Sequence, residues 1–281
     1  MSMSESVAAA SSHGSLALAA VQMNSTSVLE ENLATARAFI DEACAGGADI
    51  IVLPENFSLM PETREQRQDA ADRVSEVEAM LSAAAREKGV VIIGGSTPLP
   101  AADGRVTNTC LVFDHSGQRI GRYDKIHLFD VSVSSSESYC ESRHIAPGKT
   151  PLALSAHGLT MGITICYDMR FPELYRQLAK AGAELFSVPS AFTVPTGHAH
   201  WHTLLRARAI ENLAWVIAPA QVGAHPGGRQ TYGHSLIIDP WGEILAECDG
   251  GPGVIFARLD RDSASQRRRQ FPVLEHRVLK G

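Results

Sequence analysis

The chain has no apolar run long enough to span a bilayer. Its longest, such as Asp49-Ile-Ile-Val-Leu-Pro54, are strand-sized, against the ~20 residues a membrane helix needs. A helical membrane protein is excluded. Basic residues are not in excess either. Lys and Arg number 25 against 31 Asp and Glu, a net charge of −6, which argues against non-specific binding to nucleic acid or to an anionic membrane. Cysteine is sparse. Cys44, Cys110, Cys140, Cys166 and Cys248 form no C-x-x-C pair and are odd in number, so reduced thiols and a cytoplasmic location are expected rather than a disulfide framework. Residues 1–14 are rich in Ser and Ala and hold no Lys or Arg. They lack the basic start of a secretory signal and the arginines of a transit peptide, and read as a disordered tail.

The 281 residues, 44% hydrophobic and 20% charged, suit a globular protein that buries about three quarters of its unfolded surface. Strand and helix patterns alternate. Residues 16–23 read as a strand, 28–45 as an amphipathic helix stopped by Gly46-Gly47, and 50–53 as a buried strand ended by Pro54. A second helix over 69–88 closes at Gly89 and leads into a strand at 90–93. Residues 108–114 and 118–123 read as a hairpin. The stretch 127–149 is long, irregular and Ser-rich, and loops of that length inside a domain are usually functional. Strands at 159–165, 184–188 and 214–218, a helix opened by Pro172, a helix over 199–213 and a hairpin around Pro240-Trp-Gly242 follow. No Pro/Ser-rich linker interrupts them, and residues 15–281 read as one domain.

There is a weak internal echo. Ala45-Gly-Gly-Ala-Asp-Ile-Ile-Val-Leu-Pro54 resembles Lys180-Ala-Gly-Ala-Glu-Leu-Phe-Ser-Val-Pro189, and Leu111-Val-Phe-Asp-His-Ser-Gly117 resembles Leu236-Ile-Ile-Asp-Pro-Trp-Gly242. Shared βα punctuation explains this, and so do two similar sheets with helices on their outer faces.

Chemistry can be placed on three residues. Cys166 ends the apolar run Met161-Gly-Ile-Thr-Ile-Cys166, and Pro172 suits the first turn of a following helix. That puts the thiol at a strand-to-helix elbow, unless it is a buried structural cysteine, as Cys44, Cys110 and Cys248 are read to be. Glu55 follows a buried strand and a proline, where a helix cap or surface carboxylate is the alternative. Lys125 lies where the hairpin gives way to the long loop, and alone would read as solvent-facing. Together they make a nucleophile, its base and a cation that keeps the carboxylate ionised and favours a thiolate.

The segments Leu53-Pro-Glu-Asn-Phe57, Tyr123-Asp-Lys-Ile-His127 and Gly162-Ile-Thr-Ile-Cys-Tyr-Asp-Met-Arg-Phe-Pro-Glu173 resemble, in order, the signature blocks of the nitrilase superfamily of carbon–nitrogen hydrolases. The likeness runs on through Pro189-Ser-Ala-Phe192, His200-Trp201, Arg206-Ala-Arg-Ala-Ile-Glu-Asn212, Tyr232-Gly-His-Ser235 and Asp239-Pro-Trp-Gly242. It implies an α/β fold, a four-layer αββα sandwich of two packed mixed sheets, assembled as a homodimer or larger homo-oligomer. It also implies a Glu55-Lys125-Cys166 triad that cleaves a small linear amide to acid and ammonia through a thioester, without cofactor or metal. A second active-site glutamate is matched by Glu141, with Glu137 as competitor. Tyr167 offers an oxyanion N–H, Arg170 a partner for a substrate carboxylate or else a buried salt bridge to Glu173 or Asp168, and Phe192 and Thr193 a pocket lining. The blocks resemble the amidase branch, leaning to deaminated glutathione amidases with omega-amidases as the alternative.

One segment departs from the family pattern. Thr196-Gly-His-Ala-His-Trp-His202 carries His198 and His202 where relatives tend to have Pro and Glu. Read as metal ligands, His198, His200 and His202 would make a metal-dependent hydrolase; a polar helix start is the plainer reading. A catalytically silent scaffold would have lost a triad residue, and none is lost. Gly94-Gly-Ser96 lacks the phosphate-loop pattern, and Arg267-Arg-Arg269 reads as a solvated or subunit-contact segment rather than a nucleic-acid site.

Overall fold

A strand apolar at nearly every position belongs in a sheet covered on both faces. Such a strand, β1 (Leu16–Gln22), starts the fold, followed by α1 (Leu29–Ala45) and β2 (Ile50–Val52), parallel to β1. Leu18, Ala20, Ile50 and Val52 enter one apolar cluster, and Ala19, Val21, Ile51 and Leu53 enter another with Ile40 of α1. The second cluster also takes Val77 and Leu81, so the helices cover the outer face of this sheet. The protein is described by a computed structural model over residues 14–132 and 138–279. Glu137 and all but the last residue of the expected tail lie outside the described residues.

The helix read over 69–88 is two helices. Thr63 accepts from the Gln66 N–H while the Gln66 side chain returns to the Thr63 backbone, and this reciprocal cap opens α2 (Arg64–Asp72) earlier than expected. The chain turns at Arg73 (φ −97°, ψ 16°) into α3 (Val74–Lys88). Next come β3 (Val91–Ile93), β4 (Thr97–Pro100), β5 (Val106–Phe113) and β6 (Arg119–Asp124). The irregular stretch holds a short hairpin, β7 (Asp130–Ser132) with β8 (Ser138–Cys140), and a 3-10 turn at Glu141–Arg143.

The second half repeats the first. β9 (Leu152–Ala156) and β10 (Leu159–Ile163) lead through a 3-10 turn at Cys166–Arg170 into α4 (Pro172–Lys180) and β11 (Leu185–Ser187). Then follow α5 (Val194–Asn212), β12 (Trp215–Ala218), the small hairpin β13 (Val222–Ala224) with β14 (Gln230–Tyr232), and β15 (Ser235–Ile238) with β16 (Ile244–Cys248). β17 (Gly253–Leu259) and α6 (Arg261–Gln270) end the described core.

The first sheet has the order β17-β1-β2-β3-β5-β4 with β6 on β5, and the second β16-β15-β12-β11-β10-β9. In each, three parallel strands (β1-β2-β3; β10-β11-β12) meet an antiparallel pair (β5-β6; β15-β16), and one antiparallel strand (β17; β9) flanks the start. The internal echo is therefore a duplicated sheet. One cluster joins Leu18, Ile50 and Val112 of the first sheet to Met161, Leu185, Ile217 and Ile238 of the second. With helices outside, the layers are α, β, β, α, as the resemblance implies. Among the described residues, no helix is long and apolar enough to cross a membrane.

Candidate active site

In parallel α/β sheets, side chains meet at the carboxyl ends of the strands. Glu55 follows β2, Cys166 follows β10 and the segment 189–193 follows β11; Lys125 follows β6 directly. All open on one cavity of about 310 Å³. Glu55 reaches it on a loop backed by Gly95, whose φ of +50° and Cβ direction, 2.1 Å from the Pro54 carbonyl oxygen, admit no side chain. Ser96 Oγ accepts from the Asn56 N–H at 2.9 Å. Gly94-Gly-Ser96 thus shapes the glutamate loop. Cys166 sits at φ +49°, a left-handed turn for a residue with a side chain, and its N–H donates to the Pro189 carbonyl at 2.9 Å.

Lys125 Nζ, nearly fully buried, donates to Glu55 Oε1 at 2.8 Å and to Glu141 Oε2 at 3.0 Å. Asn108 Nδ2 donates to the same Glu55 oxygen at 3.0 Å, and the Ala191 N–H to the other at 2.9 Å. Glu141 is also held by the Phe129 N–H at 2.6 Å. The Cys166 thiol and the Glu55 carboxylate are near enough for each to perturb the other's ionisation. Burial alone would push the Glu55 carboxyl up, but the Lys125 ammonium holds it below the usual range. Burial opposes the ammonium, yet Glu141, Glu55 and Cys166 together raise Lys125 well above an ordinary lysine. The Cys166 thiol is pushed far up, by burial first and then by the Glu55 charge, against the smaller pull of Lys125. With the thiol raised and the carboxyl lowered, the pair is arranged for Glu55 to accept the Cys166 proton.

Asp168 fastens the Lys125 segment to the Cys166 turn. Fully buried, it accepts from Tyr123 Oη at 2.6 Å, the Ile165 N–H at 2.9 Å and the His127 N–H at 3.1 Å. Asp168 and Asn108 were not singled out as site residues from sequence. The signal available was an amide side chain within a strand, Asn108, and an acidic residue two positions past the nucleophile, Asp168.

Tyr167, Phe192 and Thr193 line the cavity as expected. Arg170 does not. Its guanidinium lies over the Tyr167 and Phe192 rings, 5.7 and 5.3 Å from their centroids, with Nη1 and Nη2 both 3.3 Å from His200 Nδ1. Neither expected ion pair, to Glu173 or to Asp168, is among those formed by the described residues. Two arginines that sequence reading passed over, Arg67 of α2 and Arg229, line the cavity instead. The five cysteines are free; Cys110 is buried, Cys44 and Cys248 are half-buried and Cys140 is exposed.

The three helix histidines do not converge. His198 packs edge-on against Tyr232, His200 faces Arg170, and His202 bonds Glu247 at 3.0 Å. Inside α5, which starts at Val194 rather than the expected 199, His198 and His202 lie one turn apart and both meet the Tyr232 ring, whereas His200 projects from another face. His202 instead joins His234 and Glu247, with ligand atoms within 4.8 Å of one another; none of these lines the cavity. Both imidazoles already contact one Glu247 oxygen.

Residues 17–269 match the carbon–nitrogen hydrolase family. The chain is 44% identical over 264 residues to a deaminated glutathione amidase of Synechocystis, covering 92% of this chain and 97% of that one. Its fold matches the crystal structure of Nit3 from Saccharomyces cerevisiae, a member of branch 10 of the nitrilase superfamily, with a TM-score of 0.85 and 31% identity over 94% of this chain and 97% of that one. It also matches a glutamate-to-glutamine mutant of the amidase from Nesterenkonia sp. AN1, with a TM-score of 0.77 and 27% identity over 92% and 98% of the two chains; in that mutant acrylamide has added to the active-site cysteine. On family match, fold and sequence identity together, the chain belongs to the carbon–nitrogen hydrolases of the nitrilase superfamily.

Proposed function

We propose that the chain is a cysteine amidase that works through Glu55, Lys125, Cys166 and Glu141, with deaminated glutathione as its substrate. The observation that carries the reading is the buried contact of one ammonium with two carboxylates on the same cavity as the Cys166 thiol. Glu55 takes the thiol proton as sulfur attacks the amide carbonyl. Lys125 and the N–H of Tyr167, at the open start of its 3-10 turn, hold the oxyanion. The proton on Glu55 then passes to the leaving amine. That amine is ammonia from a primary amide but cysteinylglycine from deaminated glutathione, so the expected ammonia holds for primary amides only. Glu55 next takes a proton from water, hydroxide attacks the thioester, and sulfur departs and regains the proton. Glu141 positions Lys125 throughout.

The substrate assignment rests on the 44% identity to a deaminated glutathione amidase and on a cavity sized for a small molecule. The test is product formation from deaminated glutathione, α-ketoglutaramate, aliphatic amides and nitriles, with mass spectrometry of enzyme quenched in turnover. The expected result is an acyl adduct on Cys166 and a preference for deaminated glutathione of at least about ten-fold in kcat/KM. Preference for α-ketoglutaramate would make the chain an omega-amidase, and nitrile turnover to acid would overturn the amidase reading. Substantial activity of Cys166→Ala would overturn the mechanism.

A further inference from the structure

Among the described residues, the two arginines in the cavity wall have no carboxylate partner. Arg67 makes no side-chain hydrogen bond, and burial lowers its pKa, although the nearby Glu141 charge acts the other way. Arg229 spends one donor, Nη2, on the Ala191 carbonyl at 2.7 Å and lies 5.6 Å from the Tyr139 ring centroid. Its Nε is buried with no hydrogen-bond partner. Glu55 and Glu141 are ion-paired to Lys125 and act on the arginines through space, Glu141 on Arg67 and Glu55 on Arg229. Glu62, exposed at the rim, pairs with neither.

Two guanidiniums that repel each other in a partly desolvated wall are favourable only when an anion joins them, and their forked donors match a carboxylate. Around the thiol, two carboxylates face one ammonium, which disfavours a third negative group, whereas the Arg67–Arg229 wall favours one. Resting on the amidase reading of this same site, we infer that Arg67 and Arg229 form a carboxylate subsite. It selects linear amides with a free carboxylate remote from the scissile bond and sets which end meets Cys166. Sequence gave no sign of this, since Arg67 sits in a polar helix and Arg229 in a glycine-rich turn.

The experiment compares the isosteric pair glutaramate and glutaramide, with deaminated glutathione alongside, in the parent, Arg67→Gln, Arg67→Lys and Arg229→Gln. Glutarate binding to each is measured by calorimetry at two salt concentrations. The acid-to-diamide ratio of kcat/KM is expected to fall at least ten-fold in Arg67→Gln, mainly through KM, and to recover in part in Arg67→Lys. Glutarate binding should weaken by a similar factor and lose its salt dependence. Arg67→Gln is decisive because that side chain makes no bond whose loss would unfold the chain; Arg229→Gln also releases Ala191. An unchanged ratio and unchanged glutarate affinity in a folded Arg67→Gln would overturn the subsite. Loss of glutarate binding in an enzyme that hydrolyses no amide would leave the subsite standing and overturn the amidase reading.

Discussion

Lys125 is a buried ammonium whose removal would strand two carboxylates. In the parent, the Glu55 carboxyl lies below its ordinary value of 4.5, so its stabilising effect is present above that value and lost as pH falls through the lower folded pKa. In Lys125→Met, burial acts on Glu55 without the opposing ammonium, and the folded pKa moves above the unfolded one. Stability from this group is then present at acid pH and lost as pH rises. The unfolding free energies of parent and variant, read from denaturant melts, should therefore lie close together near pH 4.5 and diverge towards pH 8, by the ~3–5 kcal/mol that an uncompensated buried charge costs. A gap that stays constant with pH would refute the assigned charge states. Glu55, Lys125 and Cys166 were legible because each lies within a distinctive block; Glu141, inside the long loop, was legible only through the family resemblance. Asn108, Asp168 and the arginine pair were not, because their meaning lies in partners far off in the chain: Asn108 meets Glu55 53 positions away.

At the scale of elements, what the sequence concealed was tight packing at glycine. Gly197 lies inside α5, and a Cβ there would sit 2.1 Å from Tyr232 Cγ, so the helix accommodates a glycine that reads as a loop residue. The early start of α2 was visible as the Thr63-x-x-Gln66 cap, but a continuous helical period masked the turn at Arg73. Gly95 carries the functional consequence. A methyl group there must move Leu53 or Pro54, and with them the loop that presents Glu55. Gly95→Ala is expected to cost about 1–3 kcal/mol and to lower kcat at least ten-fold with little change in KM. Gly104→Ala is the control, because its φ of +79° is also left-handed but nothing lies within 4 Å of the new Cβ. Equal melting-temperature losses in the two, with kcat intact in both, would mean that backbone conformation alone matters at Gly95.

The whole molecule is two similar sheets back to back, and that much showed through as repeated helix–Gly–strand–Pro punctuation. The join between them did not show. β17 leaves the second sheet at β16, crosses to the first and pairs with β1 over its full length, Leu16 with Leu259 through Gln22 with Gly253. Nothing local in Gly253–Leu259 identifies that partner, which lies more than two hundred residues away. Gln22 reinforces the join: its Nε2 donates to the Gly250 and Gly251 carbonyls at 2.8 and 3.0 Å, and its Oε1 accepts from the Ser235 N–H at 2.9 Å. A chain ending after Asp249 would leave β1 an unpaired edge with apolar side chains on both faces, a template for aggregation. Its soluble yield is expected to fall to less than about a tenth of the parent's. A chain ending after Arg277 loses the exposed Val278 and Leu279 and should keep the parent's yield, melting temperature and activity. If the shorter chain stayed soluble and active, the two halves would be held by their shared core without β17, and the terminal strand would be an accessory to the duplicated fold rather than its clasp.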